Sequence, residues 1–164
     1  MSHEFGVNEQ IALDATPEQV WEAIATGPGV GSWPIGRPEI EPREGGVNRF
    51  TMMGFTNQST ITTYEPGQHF AHRSEADPEN GTLVAFEYLI EGREGGSTVL
   101  RFVHSGVLGD DRAKEHDTLR AGDGMYLRKM ATYLKHSPAV PRRRQLPVAP
   151  RGRLTYRYLL CPRV

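Results

Sequence analysis

The chain has 164 residues, 37% of them hydrophobic, with a formal net charge of -1 and a single cysteine. That length suits one domain plus an appendage and excludes two ordinary domains; no apolar run approaches the ~20 residues that span a bilayer, and the N-terminus has no signal-peptide pattern. Cys161 alone supports neither an internal disulfide nor a cysteine-clustered zinc site, so a cytoplasmic protein is the expectation.

The near-zero charge hides an asymmetry. Seven arginines (Arg142, Arg143, Arg144, Arg151, Arg153, Arg157, Arg163) follow Ser137 with no acid among them, whereas residues 1–136 carry 12 basic against 20 acidic groups, a formal -8. A body of that charge argues against a nucleic-acid ligand for the domain.

In chain order, Phe5 to Asp14 alternates loosely and predicts a first strand. Thr16-Pro17-Glu18-Gln19 then reads as a helix start, with Thr16 as N-cap, Pro17 at the first helical position and Gln19 completing a capping box. Val20, Trp21 and Ile24 supply its buried side, the Gly27–Gly31 run ends it, and Trp33 and Ile35 predict a second short helical turn. From Pro38 the chain reads as antiparallel sheet, with strands expected at 47–54, 57–65, 68–75, 82–91 and 97–105 and turns at Gly45-Gly46, Glu65-Pro66-Gly67, Asp77–Gly81 and Gly95-Gly96. In the last strand Thr98, Leu100, Phe102 and His104 share one face, and the helix after it places Leu119, Tyr126 or Leu127, Met130 and Leu134 on one stripe. The class is α+β: a curved antiparallel meander around a long C-terminal helix, with two short helices after the first strand.

Residues 137–164 differ in composition. Five prolines and seven arginines favour an extended or disordered tail; translated read-through and a linker to a further domain are the alternatives. The domain division is 1–136 and 137–164.

The capped helix Thr16-Pro17-Glu18-Gln19-Val20-Trp21, the Trp33 segment, the meander, Val103-His104-Ser105-Gly106 and the closing Tyr133-Leu134 together resemble the activator of heat-shock protein 90 ATPase homologue-like family, of the START-like or SRPBCC helix-grip superfamily. The resemblance covers roughly residues 7–136 and implies a cavity between sheet and helix. One departure stands out: where family members carry Gly-Trp in the last helix, this chain has Gly122 and Asp123, followed by Gly124. Two glycines cost a helix about 1 kcal/mol each relative to alanine, so the helix is expected to kink or begin only there, with 110–121 as a loop or separate turn.

Candidate chemistry is sparse. His104, on the inward strand face, and Asp123, on the gripping helix, are within plausible reach of each other; a carboxylate orienting an imidazole can act as a base or fix a polar ligand, with Tyr126 as a third candidate. The plainer readings are a strand-end histidine bonded to backbone and a solvated helix carboxylate. His69 and His72 fall on opposite strand faces, against joint metal binding, and no metal-protease motif, phosphate loop or nucleophile elbow is present. The larger signal is a set suited to an apolar ligand with a few polar anchors: Phe50 and Met52, Thr60 and Thr62, Phe86, Tyr88 and Ile90, Leu100 and Phe102 beside His104, and Met130 beside Asp123 and Tyr126.

The expected function is therefore non-catalytic binding of a small hydrophobic or aromatic molecule, without cofactor or metal, by a monomer or weak homodimer. An enzyme of cyclase, aromatase or hydrolase type using His104 and Asp123, and a module that stimulates a chaperone ATPase, are the alternatives that the resemblance implies.

Overall fold

The computed structural model describes residues 3–26, 29, 36–52, 54–109 and 116–136. Strand β1 (His3–Leu13) leads into helix α1 (Pro17–Ala25), and β2 (Arg37–Ile40), β3 (Val47–Met52), β4 (Phe55–Glu65), β5 (His69–Arg73), β6 (Leu83–Gly92) and β7 (Thr98–Leu108) follow, before helix α2 (His116–His136). The strands form one antiparallel sheet in the order β1-β7-β6-β5-β4-β3-β2. Chain neighbours are therefore sheet neighbours, except that β1 closes against β7. The expected second turn at Trp33 and Ile35 and the tail 137–164 lie outside the described residues.

Local chemistry sets the ends of α1. The Thr16 backbone N–H donates to Gln19 Oε1 at 2.8 Å and the Gln19 N–H donates to Thr16 Oγ1 at 3.3 Å, the reciprocal capping box expected from the sequence. Val20, Trp21 and Ile24 turn inward and join Leu13, Phe70, Leu100, Phe102, Leu127, Met130 and Leu134 in one buried cluster. Trp21 meets Tyr64 and Phe70 edge to face, at centroid distances of 5.0 and 6.1 Å. Thr98 ties α1's entry to β7, its buried hydroxyl donating to the Ala15 carbonyl at 2.7 Å.

Three expectations need correcting. Strand β2 was not anticipated as a separate element, because Arg37-Pro38-Glu39-Ile40 is only four residues long and owes its place to pairing with β3. Helix α2 does not begin at the glycines. It runs unbroken from His116, because Asp123, Leu127, Met130 and Leu134 bury one stripe, and that tertiary burial outweighs the glycine cost. Strand β7 extends three residues past the expected end, to Leu108. It can do so because Gly106 lies where β6 comes closest: a Cβ there would sit 2.0 Å from the Leu83 carbonyl oxygen.

Candidate functional site

The inward face of the sheet is read by following register across the strands. One row runs Val7, His104, Phe86, His72, Ile61, and the next runs Phe102, Tyr88, Phe70, Tyr64. Helix α2 lies against this face and contributes Asp123, Leu127 and Met130 as buried residues.

His104 and Asp123 meet. Nδ1 of His104 lies 2.9 Å from Oδ2 of Asp123, and the two side chains are only 5% and 12% exposed. The plainer readings of each residue are thereby replaced, since the histidine bonds a carboxylate rather than backbone and the carboxylate is not solvated. The imidazole is boxed by rings: Phe86 stacks on it at 4.2 Å, Phe5 meets it edge-on at 5.0 Å, and Phe102 is tilted at 6.4 Å. Its other nitrogen, Nε2, is buried and has no hydrogen-bond partner. Buried polar atoms are nearly always paired, so this one is an exception.

Two further polar units flank the pair. The Tyr88 and Tyr126 hydroxyls approach to 3.4 Å. Burial raises both phenols, Tyr126 to about 12 despite the bond from Tyr88, and the nearby Asp123 charge adds to the rise in each, so both stay protonated at neutral pH. On the other side of Phe86, His72 Nδ1 lies 2.9 Å from Ser59 Oγ, and its ring packs 5.1 Å from the Phe86 ring. Enclosure lowers the His72 pKa to about 4, and the His104 ring adds to that, so His72 is a neutral hydrogen-bonding group.

Of the other sequence-predicted residues, Phe86 and Tyr126 are half-buried beside the pair, and Ile90 and Phe50 are half-buried further along the same face. Leu100, Phe102 and Met130 are fully buried and form the packed floor beneath. The Met52 side chain lies outside the described residues. Thr60 and Thr62 are a correction: both are exposed, because the inward residues of β4 are Ser59 and Ile61, and a bulge between Ile61 and Thr63 then shifts the alternation so that Tyr64 turns inward. The buried Ile61 was the signal for the right parity. The Ser59–His72 contact was missed, although the alternation that turns Phe70 inward carries His72 with it.

On the outer face, His69 Nε2 lies 2.8 Å from Glu87 Oε1, so His69 and His72 do point apart. Gln10, Gln68, His69, Leu89, Val99 and Arg101 line an open groove of about 510 Å³ there. It holds no buried unpaired group, and the chemistry gathers on the other face. Among the described residues no cluster of three or more metal-ligating side chains occurs, and no helix is long and apolar enough to cross a membrane.

A curved antiparallel meander closed on one face by its last helix defines an α+β, helix-grip-like protein. The family described as Activator of Hsp90 ATPase homolog 1-like protein matches residues 14–135, and the chain belongs to it. Protein MLL2253 from Mesorhizobium loti superposes with a TM-score of 0.70 at 16% identity, over 82% of this chain and 100% of that one. The Aha1 dimer from Colwellia psychrerythraea gives 0.68 at 20% identity, over 80% and 97%, and CalU16 from Micromonospora echinospora gives 0.62 at 20%, over 82% and 76%. At such identities the likeness concerns the fold. A search of curated proteins returns no match.

Proposed function

We propose that this protein binds a small, mainly apolar or aromatic molecule between the inward sheet face and α2. The observation that carries the reading is the buried, unpartnered Nε2 of His104 set among Phe5, Phe86 and Phe102. An apolar wall with a few convergent polar groups is the usual make-up of a small-molecule site. Native mass spectrometry of the protein as purified, with thermal denaturation against a panel of aromatic compounds, tests it. A bound small molecule, or a rise in melting temperature with some members, is expected; neither appearing would overturn it.

The 2.9 Å His104–Asp123 pair favours a second reading, an enzyme in which His104 is the base, Asp123 orients it and Tyr126 donates a proton. Turnover of a substrate that is lost in His104→Ala with Asp123→Asn would replace binding by catalysis. The name of the family suggests a third, stimulation of a chaperone ATPase, which an assay with purified heat-shock ATPase decides.

A further inference from the structure

Two inward contacts give the direction of α2. Asp123 meets His104, whereas Tyr126, further along the helix, meets Tyr88 and Phe102, one row nearer the start of β7. The helix therefore advances toward the end of the sheet where Gly92 pairs with Thr98, and the chain leaves α2 at that end.

The groove on the outer face lies at the same end. Its main row is Gln10, Arg101, Leu89, His69 and Glu65, one residue from each of five adjacent strands, and Val99 with Glu91 forms the next row toward Thr98. Leu89 and Val99, both half-buried, are its apolar floor. Three carboxylates surround that floor: Glu65 and Glu91 are exposed in the lining, and Glu87 adjoins through His69. They outnumber the guanidinium groups of Arg101, which already donates to Asn8 Oδ1 at 3.2 Å, and of Arg93, 3.2 Å from Glu91.

The sequence beyond α2 holds one segment of matching length and character. Within 153–160, Leu154, Tyr156, Tyr158 and Leu160 alternate with Arg153, Thr155 and Arg157, the period of an extended chain with an apolar side and a basic side. Extended, the stretch from Leu154 to Leu160 spans about 20 Å, and a row across five strands spans about 19 Å. The connection 137–152 reaches up to roughly 50 Å, whereas the step from the helix layer to the outer face of the sheet is about 20 Å. A tether of that length holds the segment at an effective concentration on the order of millimolar, so shallow contacts suffice.

We infer that the outer face of the sheet is a docking groove for this chain's own segment 153–160. Its leucines and tyrosines lie along the row over Leu89 and Val99, and Arg153 and Arg157 reach the carboxylates at the rim. The acidic charge of residues 1–136 and the seven arginines that follow Ser137 are then two halves of one contact rather than separate features.

Cys161, the single cysteine, stands next to the segment and takes a nitroxide label in the full-length chain. Paramagnetic broadening of backbone amides, referenced to the reduced label, should fall on Leu89, Val99 and His69, while Phe55, about 34 Å away at the other end of β4, keeps its intensity. Tyr156→Ser with Tyr158→Ser should lower the docking equilibrium at least about tenfold. Glu65→Lys with Glu91→Lys should weaken it as well, and adding Arg153→Glu with Arg157→Glu should restore it. Broadening that is absent from the outer face, or unchanged by the tyrosine substitutions, would overturn the inference. A mixture of labelled chains with nitrogen-15 chains lacking the nitroxide identifies the donor of the segment: broadening there as strong as within one chain would assign the groove to a second copy and overturn docking of the chain on itself.

Discussion

Two histidine–carboxylate pairs sit on opposite faces of one sheet at almost the same separation, His69–Glu87 at 2.8 Å and His104–Asp123 at 2.9 Å. The first pair has side chains 25% and 41% exposed, the second 5% and 12%. Distance alone would rank them as equals, but water decides otherwise. On the outer face solvent competes for every hydrogen bond and screens the charges. Under α2 the same contact is made away from water, where leaving either partner unpaired is costly. Equal geometry on the two faces therefore means a minor surface contact on one and a candidate site on the other.

The sharpest way to break that comparison is to remove one partner from the buried pair. His104→Phe leaves Asp123 charged and alone and should lower unfolding free energy by about 3 kcal/mol in chemical denaturation. Adding Asp123→Leu should bring stability back to within about 1 kcal/mol of wild type. A single variant as stable as wild type would show that the carboxylate reaches water.

His72 supplies the intermediate case, an enclosed histidine whose partner is the neutral Ser59. Its folded pKa, about 4, lies below the ordinary 6.5, so between those values the unfolded chain binds more protons and stability falls as pH falls. Allowing for the part of the residue that meets solvent, the loss across this window is on the order of 2 kcal/mol. Comparing wild type with His72→Phe over that range isolates it, and parallel pH profiles would refute it.

A smaller effect concerns the helix that carries Asp123. Nothing lies within 4 Å of a Cβ built on Gly122, so Gly122→Ala should raise stability by about 1 kcal/mol and leave the His104–Asp123 contact in place. A loss of stability would mean that the turn preceding Asp123 needs glycine. Smallest of all, Glu87→Ala on the outer face should change unfolding free energy by less than about 1 kcal/mol. A loss matching that of His104→Phe would erase the contrast between the two faces.

Much of this protein was legible in the residues because it depends on neighbours in sequence. The Thr16–Gln19 capping box needs only a three-residue spacing, the inward set Thr98, Leu100, Phe102 and His104 only the two-residue period of a strand, and the hairpin turns only their glycines. The His104–Asp123 pairing was also within reach, since one residue stands on an inward strand face and the other on the helix that must cover it. Three features needed the assembled sheet. The bulge after Ile61 changes which β4 residues face inward, turning Tyr64 in although Ser59 and Ile61 hold the inward positions before it. Strand β2 exists through its pairing with β3, and α2 holds together through two glycines because of what it buries. Above all, whether a histidine–carboxylate contact lies in water or in the dry grip is set by the layer packed over it. Burial is a property of the whole fold, and no local pattern of residues encodes it.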